Sequence, residues 1–409
     1  MASAVYGDFA RAYLTEVAAA TRRMLTRGAE AVELLQRATA GRTQIRAFGN
    51  GGSSAIVRSV LLQLPFHTGQ PVNDSMMSTA TMAYGAQRQD YRSLFAQSLA
   101  QDIDEVGLVV VASVSGRSTN VVEAVRLCQD NRVPVLALVG GDGTQIEPVD
   151  GMVWATGTTD QQVSEDAMLT ALTLTTAALG PRAESLPTSQ ERHLRALVSV
   201  DTALLGGFLH EATRAIADAI RSRRCTYVLC PDGGPLALAG EHFAHNLSWD
   251  APLGVEGVQP PLIMRDPSLA DMSAMFNDHP DPAYGVRYQL SSASPNDVVF
   301  LLAYDSASRT TREAISAAAA AGARLFLLHR DGPAQSSDTQ CSFTLPKTDH
   351  FGQAALMQSI AHLVCRTTRA VLATTSYSTA AVVSPHDLMA QDLAPLRELS
   401  GIPQSPQTP

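Results

Sequence analysis

Residues 104–125 read DEVGLVVVASVSGRSTNVVEAV, and the apolar run from Val106 to Ala112 inside them decides the fold class. A strand exposed on one face alternates apolar with polar residues, whereas a strand without alternation is buried on both faces of a parallel sheet. The run predicts such a strand over 106–116, leading through SGRST into a helix over 118–130. Downstream, VPVLALVG at 133–140 reads as the next strand and 163–179 as a final helix. Upstream, TQIRAFG ends a strand at Gly49, and a further short strand is expected around Val72. Residues 5–38 carry Phe9, Tyr13, Val17, Met24, Ala29, Val32 and Leu35 at helical spacing, which predicts one or two amphipathic helices. Strand alternating with helix implies a doubly wound α/β sheet.

The pattern then repeats. After GPRAESLPTSQ at 180–190, helical sequence at 193–222 precedes the strand CTYVLC, and PDGG at 231–234 stands where the first half has GNGG at 49–52. NDVVFLLAYDSASRTTREAI at 296–315 parallels 104–125, and ARLFLLHRDG parallels VPVLALVGGDG. Four elements recurring in order predict two fused copies of one domain, 1–182 and 186–375, followed by an extension over 376–409.

Composition narrows the function classes. With 409 residues, 45% hydrophobic and 17% charged, the chain buries a large core and its length favours two domains. A net charge of −9 without clustered arginines and aromatics opposes nucleic acid as a partner. Lys347 is the single lysine, which disfavours Schiff-base chemistry. Five cysteines without a CxxC pair (Cys128, Cys225, Cys230, Cys341, Cys365) read as reduced thiols in a cytoplasm. The N-terminus lacks an apolar signal core and no run reaches membrane-span length, so neither export nor membrane insertion is expected.

Two loops carry the candidate chemistry. Asn50, Gly51, Gly52, Ser53 and Ser54 follow one strand, and Ser113, Ser115, Gly116, Ser118 and Thr119 follow another. Ligands of open parallel sheets bind beyond the carboxyl ends of strands, where backbone amides and a helix N-terminus suit a phosphate dianion. A turn plus an N-cap is the plainer alternative for either loop alone. Neither GxGxxG nor GK[ST] is present, so a small phosphorylated ligand fits better than a dinucleotide or nucleoside triphosphate.

GNGGSSA at 49–55, VVVASVSGRSTNVVEAV and VPVLALVGGDG together resemble the sugar isomerase (SIS) domain, specifically its phosphoheptose isomerase branch. In the second half, GGPLALAGEHFAHNL at 233–247, PPLIMRD and FNDH at 276–279 resemble later segments of that branch. The resemblance implies two flavodoxin-like α/β/α domains that bind a sugar phosphate, with active sites assembled between copies and a homodimer mimicking a four-SIS-domain assembly. It also implies a Glu on the helix after the first loop and a His on the last helix, with zinc in some members. In this sequence those positions fall on Gln63, with Ser59 before it, and on Leu172 or its neighbours, leaving Glu165, near the start of the last helix, as the first half's remaining carboxylate. The second half offers Glu241, His242, His245 and Asn246 on one helix, and His350 and His362 near the last. Its loops carry Asp232, Pro235 and Asp305, which should repel phosphate.

The first half therefore keeps a phosphate cradle and the second keeps ionisable groups. The expectation is a composite site in which the first half's loops hold phosphate and Glu241, His242, His245, His362 or Glu165 moves protons. His242 with His245 is the candidate zinc pair, although no cofactor is required. The expected activity is aldose–ketose isomerisation of a phosphorylated sugar; the alternative is a non-catalytic sugar-phosphate-binding regulator or scaffold.

Overall fold

The computed structural model describes residues 2–41, 44–69, 91–141, 145–148, 150–181, 183–253, 255, 258–266, 275, 277–279, 281, 283–330 and 341–374. The strand expected around Val72, Phe276 of the FNDH segment and the 376–409 extension lie outside them. The chain divides into two compact units, Thr15–Arg195 and Met1–Leu14 with Ala196–Pro409.

The amphipathic N-terminus forms two helices, α1 (Ala2–Leu25) and α2 (Gly28–Ala40). In the Thr15–Arg195 unit, β1 (Gln44–Gly49), β2 (Val106–Ser113), β3 (Val135–Val139) and β4 (Gly151–Ala155) pair in that order, every pair parallel. The non-alternating run behaves as its composition dictates: Leu108, Val109, Val110 and Val111 are fully buried, because helices cover both faces of the strand. The sequence pattern does not predict the strand β4, GMVWA; only Met152 and Trp154 along it are buried, the pattern of an edge strand with one face covered. Helices α3 (Gly52–Thr68), α4 (Leu94–Ala100), α5 (Thr119–Asn131), α6 (Gln161–Ala177) and α7 (Leu186–Val198) complete this unit.

In the second unit, α8 (Thr202–Arg221) leads to β5 (Cys225–Leu229), α9 (Pro235–Ser248), β6 (Leu262–Arg265), α10 (Ala283–Leu290), β7 (Val298–Ala303), α11 (Arg309–Ala320), β8 (Arg324–His329), β9 (Cys341–Thr344) and α12 (His350–Thr374). The strand order is β6-β5-β7-β8-β9, all parallel. This is the doubly wound flavodoxin-like order, which turns back between β5 and β7 and opens a crevice there at the strands' carboxyl ends. Phe208 of α8 packs 5.8 Å from Phe300, 6.1 Å from Phe326 and 5.9 Å from Phe343, fixing the helix on the sheet through one aromatic cluster. Both sheets are therefore parallel α/β layers with flanking helices, as expected.

No helix among the described residues is long and apolar enough to cross a membrane. All five cysteines are unbridged. Burial pushes Cys128 up to about 12 and Cys225 and Cys341 up to about 11. Because the thiolate is the reactive form, the native protein at pH 8 should alkylate far more slowly than the denatured chain, by about 100-fold or more. Rapid labelling of several thiols in native protein would contradict this burial.

Candidate functional site

Because β1 and β2 are adjacent and parallel, the loops following them leave the same carboxyl edge of the sheet. The first loop turns tightly. A Cβ on Gly49 would lie 2.7 Å from the Ser53 carbonyl carbon and oxygen. Gly51, which caps α3, has φ 50°, where a side chain is disfavoured. Neither Gly51 nor Ser118, the cap of α5, makes a side-chain capping bond, while the Val121 N–H in the first turn of α5 donates to Asn120 Oδ1 at 3.0 Å; both helices present positive N-terminal ends here. Ser53 and Gly52 are buried at the start of α3, and Ser54 is half-buried beside them.

In the second loop, buried Ser113 Oγ and half-buried Ser118 Oγ lie 3.0 Å apart. Gly116, at φ 61°, donates its N–H to the Ser113 carbonyl at 2.9 Å. Exposed Ser115 accepts the Arg117 N–H at 3.2 Å, and Thr119 is exposed at the first turn of α5. The two loops are braced together by paired carboxamides: Asn50 Nδ2 donates to Asn120 Oδ1 at 3.0 Å, and Asn120 Nδ2 returns a bond to Asn50 Oδ1 at 2.9 Å. Tyr91 donates its hydroxyl to the same Asn50 oxygen at 2.8 Å. Asn50 thus serves as a strut between loops, a role that no sequence signal from Asn120 or Tyr91 suggests. Amide donors, hydroxyls and two helix ends together make a site suited to a phosphate.

In this unit α3 packs against α6. Buried Gln63 donates through Nε2 to Ser59 Oγ and to Thr173 Oγ1, both at 3.2 Å, while its Oε1 has no hydrogen-bond partner among the described residues. The last-helix position opposite Gln63 is therefore Thr173, the neighbour of Leu172. An amide and two hydroxyls do not take up a proton near neutral pH, so this cluster cannot act as a general base. Glu165 lies one turn inside α6 and is buried, receiving Gln161 Nε2 at 3.3 Å; the helix cap is Asp160, which accepts the Val163 N–H at 3.0 Å.

In the second unit α9 packs against α12. His242 and His362, both buried, meet edge to face with ring centroids 4.9 Å apart. Gln358 Nε2 lies 3.3 Å from His362 Nε2. His242 is thus brought together with His362 on the facing helix, while His245 and Glu241 are only half-buried. His350 opens α12 with its ring against Tyr304, centroids 4.6 Å apart. Asn246, one helical turn beyond His242, is buried with its Nδ2 unpartnered among the described residues. Within this unit His242 and His362 offer two imidazoles and Asn246 an uncharged amide.

The second unit's mouth is acidic. Asp266, after β6, accepts the Cys230 N–H at 3.2–3.3 Å, and burial raises its carboxyl above the ordinary range. A raised folded value means the native state binds this proton more tightly than the unfolded chain. That stabilisation is full below the unfolded value and is lost as pH rises through the folded one. Asp266→Asn should therefore be more stable than wild type at pH 7 in denaturant titrations, with the gap shrinking as pH falls toward 4; a variant less stable at pH 7 contradicts this.

Residues 5–140 match a family model described as the SIS domain. The first third of the chain is thus similar to a SIS domain. A phosphoheptose isomerase of Aromatoleum aromaticum is 32% identical over 124 residues, covering 29% of this chain and 62% of that protein. The chain spans about three fifths of the length of the curated relatives it matches. The C-terminal domain of glucosamine-fructose-6-phosphate aminotransferase from Francisella tularensis aligns with a TM-score of 0.58 at 14% identity, covering 90% of this chain and 96% of that one. Tagatose-6-phosphate ketose/aldose isomerase from Escherichia coli aligns with a TM-score of 0.57 at 14% identity, covering 90% and 94%. At these identities the likeness is one of fold.

Proposed function

We propose that this protein is a phosphosugar isomerase that interconverts aldose and ketose forms, with a seven-carbon sugar phosphate as its first candidate substrate. The observation that supports the reading most is the pair of helix N-termini, α3 and α5, at adjacent strand ends, neither with a capping bond from its cap residue, with Ser113, Ser115, Ser118 and Thr119 on the second loop. A phosphate held there leaves the sugar carbons to be worked on by acid and base. The reaction removes a proton from the carbon beside the carbonyl, passes through an enediol and returns a proton to the neighbouring carbon. Glu165, Glu241, His242, His245 and His362 are the groups whose chemistry suits the transfer. A cytoplasmic setting agrees with the unbridged thiols, and a homodimer is the proposed assembly, which light scattering would read as twice the chain mass.

One observation favours a second reading. Gln63 with Thr173 puts neutral groups where a catalytic carboxylate and imidazole would serve, which suits a sugar-phosphate-binding regulator. A thermal-shift panel of sedoheptulose, fructose and glucosamine phosphates, followed by NMR of the sugar, separates the two. Stabilisation with conversion supports the isomerase, and stabilisation without conversion supports the regulator. No stabilisation by any phosphosugar overturns both.

A further inference from the structure

The second copy's loop differs from the first in length as well as charge. Arg46 pairs with Val109 and Tyr227 with Val299, while Ser118 and Ser308 cap the following helices nine residues beyond Val109 and Val299. Arg46 and Tyr227 are therefore equivalent. Five residues separate Arg46 from the cap Gly51, but seven separate Tyr227 from the cap Gly234, which adopts the same backbone geometry (φ 60°, ψ −137° against φ 50°, ψ −128°). The glycine-for-glycine match of GNGG with PDGG is thus displaced: Pro235 opens α9 as its first residue, and the two extra residues let Asp232 reach across.

Where it reaches is the second copy's counterpart of the serine loop. Asp232 Oδ2 accepts the N–H of Tyr304 at 2.7 Å and of Asp305 at 3.2 Å. Its Oδ1 accepts Ser308 Oγ at 2.9 Å and Thr310 Oγ1 at 3.5 Å. Ser308 and Thr310 stand where the first copy has Ser118 and Asn120. In that copy the bracing residue is the neutral Asn50, tied to Asn120, so Ser115 and Ser118 keep hydroxyls that bond neither the brace nor an anionic side chain. In the second, the brace is itself an anion, and it takes up two backbone donors and two hydroxyls. Ser308 also caps α11 by accepting the Thr311 N–H at 3.2 Å.

We propose that Asp232 is a built-in anion that fills the second copy's cradle, a specificity-determining residue that limits the chain to one phosphate. This rests on reading the first copy's loops as a phosphate cradle. A phosphate entering beside Asp232 would meet spent donors and a like charge. Removing the carboxylate returns the donors to an anion.

Isothermal titration of the full chain with inorganic phosphate tests this. The wild type should take up about one phosphate per chain, and D232S about two, since the donors at the head of α11 are released; D232N, which keeps the shape without the charge, controls for folding. Two phosphates on the wild type overturn the proposal, as does a cooperatively folded D232S and D232N that both still bind only as many as the wild type. If neither variant folds, the wild-type stoichiometry alone decides between one and two. A wild type that binds none, with D232S binding one, removes the first-copy reading and leaves the role of Asp232 standing.

Discussion

Replacing Ser115 and Ser118 together by alanine should raise the Michaelis or dissociation constant for a phosphosugar about 100-fold. Hydrogen bonds to a charged group contribute about 1.5–3 kcal/mol each, so losing two removes on the order of 3 kcal/mol, and each 1.4 kcal/mol is tenfold. Exposed Ser115 and half-buried Ser118 are at the loop surface, so the fold should survive their truncation. Since phosphate is remote from the reacting carbons, kcat should change less than KM. Unchanged kinetics or affinity in a folded double variant would remove the serine loop from the site.

Gly49→Ala should have the second largest effect, and it acts through the backbone. The new methyl would sit 2.7 Å from the Ser53 carbonyl and 2.9 Å from the Ser54 nitrogen, atoms that cannot give way without shifting the first turn of α3. Overpacking of this kind costs about 1–3 kcal/mol, a fall of several degrees in Tm, and the shift would misplace the amide donors that would face phosphate. Phosphosugar affinity should drop by at least about tenfold alongside stability. Gly207→Ala is the control: a methyl there meets only Ser3 Oγ at 3.6 Å, so Tm and affinity should hold. Wild-type stability in Gly49→Ala would show that the loop is not held as tightly as its geometry requires.

The fold was legible because burial on both faces leaves a mark on composition. Alternation of apolar with polar residues is missing from VGLVVVA and VVFLLA alike, and both became central parallel strands with helices on either side. The edge strand GMVWA was not legible, since one buried face and only five residues resemble any partly apolar loop. The loops at the strand ends were readable from glycine and serine, whose backbone freedom and hydroxyls are visible one residue at a time. Partnerships across elements were not. Nothing in the sequence couples Asn50 to Asn120, Gln63 to Thr173, or His242 to His362 rather than to His245; these pairs arise from the packing of elements far apart along the chain. Asp232 shows the limit most clearly. Its charge was readable as hostile to phosphate, but its reach into the donor set depends on a two-residue difference in loop length that only the strand register reveals.

The most direct measurement is proton NMR of sedoheptulose 7-phosphate incubated with the protein in D2O. The expected result is a growing aldose signal with deuterium entering the carbon beside the carbonyl, and loss of both in the Ser115, Ser118 double alanine variant. A sugar spectrum that stays unchanged with stoichiometric wild-type protein, across the sedoheptulose, fructose and glucosamine phosphates alike, would contradict isomerase function at these loops.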